Sequence, residues 1–317
     1  MEENTTRKPY KFIKCWFLND SCKELISANW NMQDRGSHAF RLTRSLINVK
    51  DILRNWNLNT SGNIQTQLKL VQHELALVNT NNADRNFPSK IEFGSKIKYW
   101  YDVQKEFYIQ RAEENILSYD DRNTRDSIAS ELKRHFSNIC RSRTPPSPVK
   151  LLVNIESCIS DEDNDVLLST PSADDIRKIV FQMQPWTSPG PDGYQPGFYQ
   201  EMWDVVGEDT VKVVQAFFHS KHLFKQMNHS IISLIPKSSC PKHASDFRSI
   251  SLSNVSYKII SILLASRIKK VMDKFISPYQ AAFLSSRQIT DNIVIAHELV
   301  SSIRNVKLKR KALWLSS

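Results

Sequence analysis

The chain has 317 residues, 40% of them hydrophobic and 24% charged, and carries a formal net charge of +10. This is ordinary globular usage, which excludes wholesale disorder, and the length allows two domains with no disulfide or metal needed to hold a core. Glycine is scarce, at 7 residues against a usual share of about 7%. That argues against a Gly-rich phosphate loop or a hairpin-dense sandwich and predicts a mostly α chain with a small β component.

The charge is unevenly spread: +7 over residues 1–155, −9 over 156–220 and +12 over 221–317. A basic block beside an acidic one points to a polyanion surface. A basic protein with no nucleic-acid role fits the charge alone equally well. The five cysteines, Cys15, Cys22, Cys140, Cys158 and Cys240, form no CxxC pair. They predict reduced thiols in an intracellular protein and no metal site. The start, MEENTTRKPY, lacks an apolar signal core, and no apolar run approaches membrane-spanning length, so neither a leader nor a membrane partner is expected.

Residues 10–145 read as helical, with apolar positions Ile64, Leu68, Val71, Leu75 and Val78 at helical spacing. Pro88 interrupts the pattern between two helices. Trp16, Trp30, Trp56 and Trp100 are expected as packing anchors. A Pro/Ser-rich linker over 146–160 separates this region, 1–145, from a second one, 161–317.

The acidic run at 161–165 has carboxylates that could hold magnesium. Its position before a helix favours a structural role at the positive end of the helix dipole. Ser172 with Asp175 predicts a capping box opening a helix whose buried stripe is Ile176, Ile179, Val180 and Met183. Four of the seven glycines then fall between Gly190 and Gly207, and Pro189-Gly190-Pro191-Asp192-Gly193 is dense turn chemistry. Such a concentration predicts a functional loop more than a plain turn. A helix is expected over 207–219, a strand over 230–235, and a strong helix over 256–275 with Ile259, Ile260, Leu263, Leu264, Ile268, Met272 and Phe275 on one apolar face. A last helix is expected over 291–304.

Six motifs stand in order: SPGPDG (188–193), SLIPK (233–237), DFRSISL (246–252), NVSYKIISILLASRIK (254–269), ISPYQAAF (276–283) and RQITDN (287–292). Together they resemble the reverse transcriptases of non-LTR, LINE-type retrotransposons, especially the plant lineage. The resemblance covers roughly 160–317 well. It extends more loosely over the N-terminal part, through Trp16, the 53–57 stretch, Glu106-Phe107, Gln110-Arg111 and the 121–124 stretch.

The resemblance implies a right-hand polymerase: a helical upstream region, fingers and the beginning of the palm. It implies an RNA template, a DNA primer and, for the intact family, two magnesium ions held by carboxylates. Lys237 and Arg248 occupy the positions expected at the triphosphate, where arginine grips phosphate bidentately and lysine acts as a point charge. Gly190, Gly193, Lys258, Lys269, Gln280, Phe283 and Arg287 match positions expected along the nucleic acid.

Three departures stand out. Ser249 replaces the proline after the arginine of DFRPISL, loosening a turn expected to aim Arg248. Ser286 replaces a glycine. Ser316 stands where the first palm aspartate is expected, one residue before the chain ends, and the later aspartate pair is missing. Asp120 for glycine and Ile116 for tryptophan look like further drift. A hydroxyl supplies neither the charge nor the geometry of a bridging carboxylate, so the chain as written is expected to be a fragment without polymerase activity and without a cofactor of its own. The alternatives are a residual nucleic-acid-binding protein using the 221–317 block, and a helical interaction module built on 10–145.

Overall fold

A computed structural model of the chain describes residues 9–30, 35–60, 64–80, 87–115, 126–141, 158–241, 243–277, 280 and 288–305. A 3-10 turn, Lys14–Leu18, leads into α1 (Asp20–Asn29), α2 (His38–Thr60), α3 (Ile64–Thr80), α4 (Phe87–Asn115) and α5 (Asp126–Cys140). Then come α6 (Asp161–Leu168), α7 (Ala173–Gln182), α8 (Pro196–Glu201) and α9 (Trp203–Ser220). Strands β1 (Ser230–Pro236) and β2 (Phe247–Ser253) form an antiparallel two-stranded sheet, followed by α10 (Val255–Phe275) and α11 (Ile289–Asn305). The fold is therefore mostly α with a small β component, as the glycine scarcity predicts. The Pro/Ser-rich stretch up to residue 157 lies outside the described residues, and so do the 116–124 stretch, Phe283, Ser286, Arg287 and Ser316.

Contacts divide the chain into two compact units, Met1–Pro146 with Ser169–Leu263, and Ser147–Leu168 with Leu264–Ser317. In the first, one core gathers Phe12 with Leu42 and Leu53 of α2, Ile176 and Val180 of α7, Phe198 of α8, Val214 of α9 and Ile259 of α10. Aromatic rings knit it together. Tyr194 and Phe198 lie 4.5 Å apart, and Phe12 meets Phe198 edge-on at 5.1 Å. Offset and edge contacts of this kind add to the area they bury.

The expected tryptophan anchors sit at this core. Trp16 is buried, while Trp30, Trp56 and Trp100 pack partly buried against the cluster. The Trp30 indole N–H donates to Asp209 at 2.9 Å, and that of Trp56 to Ser21 Oγ at 3.1 Å. Buried Gln110 of α4 pins the N-terminal segment from both sides. Its Nε2 donates to the Phe12 carbonyl at 3.0 Å, and its Oε1 accepts from Lys14 N–H at 3.0 Å.

Local sequence rules explain most helix starts. Pro88 is the second residue of α4, a position where its missing N–H costs nothing. Ser172 and Asp175 complete the predicted capping box: Asp175 N–H donates to Ser172 Oγ at 3.1 Å, and Ser172 N–H to Asp175 Oδ2 at 3.3 Å. The expected helix at 207 begins earlier, at Trp203. Gly207 lies inside it, where a Cβ would come within 2.7 Å of the Trp203 ring. Glycine here makes room for an indole four residues back, a packing need that resembles a helix start in sequence.

In the second unit the acidic run forms the first turn of α6. Asp163 N–H donates to Ser160 Oγ, Ser160 N–H donates to Asp163 Oδ2, and Lys274 Nζ meets the same carboxylate at 2.5 Å. The Lys274 contact holds this carboxyl below its ordinary range. The apolar face expected along α10 is not buried over its whole length. Beyond Leu263 the shielded positions are Arg267 and Val271, while Leu264, Ile268 and Phe275 are exposed. Arg267 is drawn in because its guanidinium donates to the Leu167 carbonyl at the end of α6, at 3.0 Å.

Candidate nucleic-acid interface

The two cations expected at phosphate lie on the β1–β2 hairpin. Ile235 pairs with Arg248 and Pro236 with Phe247. Lys237 N–H donates to the Asp246 carbonyl at 2.7 Å, extending the ladder one residue past the strand. Side chains alternate faces along a strand. Lys237, opposite Asp246, therefore shares a face with Arg248, in the diagonal relation where long side chains reach each other. Both residues are exposed. The Lys237 ammonium donates to the Ser245 carbonyl at 2.7 Å, which fixes its direction. The Arg248 guanidinium has no hydrogen-bond or ion-pair partner among the described residues, leaving its planar fork free for an anion. Ser249 lies inside β2 opposite Leu234. Strand pairing, rather than the turn expected from sequence, aims Arg248.

The glycine-rich loop is built against protein on both sides. Gly190 and Gly193 are buried. A Cβ on Gly190 would lie 2.5 Å from the backbone of Ser253 and Asn254. Gly193 has φ +84°, a left-handed conformation that favours glycine, and a Cβ there would sit 2.4 Å from the Tyr10 carbonyl oxygen. The Gly193 carbonyl accepts from Phe12 N–H at 2.9 Å. Asp192 N–H donates to Asn254 Oδ1 at 3.2 Å, and Asn254 Nδ2 donates to the Gln226 carbonyl at 3.2 Å. Tyr194 N–H donates to Asp192 Oδ1 at 3.0 Å, and the Tyr194 hydroxyl to the Leu46 carbonyl at 2.8 Å. The loop thus joins the N-terminal segment, α2, the 221–229 connection and the start of α10.

Beneath the loop lies a cavity of about 190 Å³ lined by α2, Pro191, Asp192, Tyr194, Gln226, Met227 and the start of α10. Burial pushes the Asp192 carboxyl up to about 6, against the Tyr194 N–H bond and the Lys258 and Lys50 charges, which pull it down. Lys258, on the first turn of α10, is lowered by burial and raised again by Asp192. Asp192 lines the cavity, and Lys258 lies near enough to feel its charge; a carboxylate shifted by burial beside a specific charge partner is a functional-site signal. The sequence motifs point to Lys258, while Asp192 stands there only among turn residues, and Lys50 and Asn254 carry no expected role. Asp192 and Asn254 each lie in one of the six motifs, but their contact spans 62 residues and has no local sequence signal.

Of the remaining expected residues, Lys269 and Gln280 are exposed and belong to the second unit. Among the described residues no group of three or more His, Cys, Asp or Glu is placed to hold a metal ion. No described helix is long and apolar enough to cross a membrane.

A 149 kDa protein of transposon TX1 from Xenopus laevis, itself uncharacterized, is 30% identical to the chain over 142 residues. The match covers 44% of this chain and 11% of that protein. It supports a transposon origin for the chain. No family model matches.

Proposed function

We propose that this chain is a fragment of a LINE-type retrotransposon reverse transcriptase, closest in its motifs to the plant lineage, that contains the fingers and binds nucleic acid without polymerising it. The observation that carries this reading is the hairpin that turns Lys237 and Arg248 outward on one face. The six ordered motifs and the transposon relative support it. So does the +12 charge of residues 221–317, a polyanion-binding balance.

The mechanism open to these residues is electrostatic. Each cation that meets a phosphate releases condensed counterions, so affinity falls steeply as salt rises. Arg248 offers two parallel N–H donors to one phosphate, and Lys237 adds a point charge beside it. Gly190, Gly193 and Asn254 serve by holding the loop against the start of α10.

By the resemblance, Ser316 puts a hydroxyl where the first palm carboxylate is expected, so this reading assigns the chain no two-magnesium centre of its own. Two assays test the reading together. Fluorescence anisotropy with single-stranded RNA across a salt series is expected to show binding with a negative log–log slope. Primer extension with magnesium and the four deoxynucleotides is expected to show no template-dependent incorporation. Incorporation above background contradicts the catalytic half, and salt-independent or absent binding contradicts the other.

A further inference from the structure

We propose that the cavity between α2, the 189–194 loop and the start of α10 takes one unstacked nucleobase that carries an exocyclic amine, with Asp192 as the acceptor that reads the amine. The proposal deepens the nucleic-acid reading above and rests on it.

The walls suit a flat heterocycle. Leu42, Leu46 and Ile47 of α2 supply an apolar side, and Pro191 with Asn254 faces them across about 190 Å³. The mouth opens to solvent where Ile47 is 39% exposed and Pro191 and Gln226 are exposed.

The polar groups are divided between structure and availability. Both ends of the Asn254 amide are engaged, by Asp192 N–H and the Gln226 carbonyl. Asn254 therefore shapes the wall and has little left for a ligand. Among the described residues, the Asp192 carboxylate accepts on Oδ1 from Tyr194 N–H. A carboxylate offers about four acceptor sites, so it keeps capacity toward the cavity. Lys50, also on the wall, has its ammonium 5.6 Å from the Tyr10 ring centre, and the Arg54 guanidinium lies 5.2 Å from the same ring. Lys50, a cation on the cavity wall, is placed for a phosphate flanking an inserted base.

A lone carboxylate is too few ligands for a divalent ion. It is well matched to an amine, since aspartate accepts from the exocyclic N–H₂ of cytosine. Uracil presents a carbonyl oxygen at the same ring position, and two acceptors then face each other. Cytosine and uracil have nearly the same size, so the pair isolates this one contact.

The test measures anisotropy of labelled 12-residue oligo-C and oligo-U RNA at pH 7.5 and fixed salt. The expected result is tighter binding of oligo-C by about tenfold or more, the lower end of discrimination by one good base contact. Asp192→Asn should bring the ratio close to one, because an amide can serve either base. Ile47→Trp, placed at the open mouth, should lower oligo-C affinity to that of oligo-U. Lys237→Ala should weaken both equally. Thermal melts confirm that each variant folds. If both oligomers bind equally to the parent chain, or Asp192→Asn and Ile47→Trp keep the preference, the pocket is overturned while the nucleic-acid reading stands. If neither oligomer binds, both are overturned.

Discussion

The backbone N–H of Asp192 donates to the side-chain oxygen of Asn254 at 3.2 Å, joining positions 62 residues apart. Asn254 is 5% exposed, and its other amide end satisfies the Gln226 carbonyl. Asn254→Ala removes both partners at once. The Asp192 N–H left unpaired in the half-buried loop costs about 1–3 kcal/mol, whereas the carbonyl of exposed Gln226 can turn to water, so a loss of about 1–3 kcal/mol is expected. Urea denaturation measures it. A loss under about 0.5 kcal/mol would show that the loop is held by other contacts.

Three glycines separate steric need from helical cost. Gly190→Ala and Gly193→Ala each drive a Cβ into backbone atoms, at 2.5 Å and 2.4 Å. Each should destabilise by about 1–3 kcal/mol or more, as overpacking does. Gly94, exposed in α4 with nothing within 4 Å of its Cβ position, should behave oppositely. Gly94→Ala is expected to stabilise by about 0.5–1 kcal/mol, through helix propensity alone. Thermal midpoints of the three variants should fall, fall and rise.

Asp192 sets a pH dependence of defined sign. Its folded value of about 6 lies above the ordinary 3.8. The folded chain therefore holds a proton that the unfolded chain has released. The corresponding stability is fully present below pH 4 and is lost as pH rises to about 6. Two units correspond to about 2–3 kcal/mol at most. Asp192→Asn keeps the acceptor for Tyr194 N–H but does not ionise. It should be more stable than the parent at pH 7 and level with it near pH 4. Denaturation at the two pH values checks this, and an Asp192→Asn chain that is less stable at pH 7 contradicts it.

Local features were legible where the physics is local. The Ser172–Asp175 box, the β-branched run at 230–235 and the apolar spacing from Ile259 to Leu263 each announce an element found at that place. The paths of Gly207 and Arg267 were not legible. Gly207 answers to an indole ring four residues back, and Arg267 to a carbonyl 100 residues away. The candidate site shows the same division. SPGPDG marks an unusual loop, and the motifs after it mark the cations of the hairpin. The burial of Gly190 and Gly193 against Asn254 and Tyr10 is a tertiary contact that turn chemistry alone does not encode.

The most direct test of the central claim is the salt dependence of single-stranded RNA binding by the parent chain and by Lys237→Ala/Arg248→Ala. Each phosphate contact on a single strand contributes about 0.7 to the slope of log affinity against log salt. The double variant is expected to bind more weakly at low salt, with a slope shallower by about 1.4. An unchanged slope and affinity would contradict the claim that these two exposed cations meet the phosphate backbone.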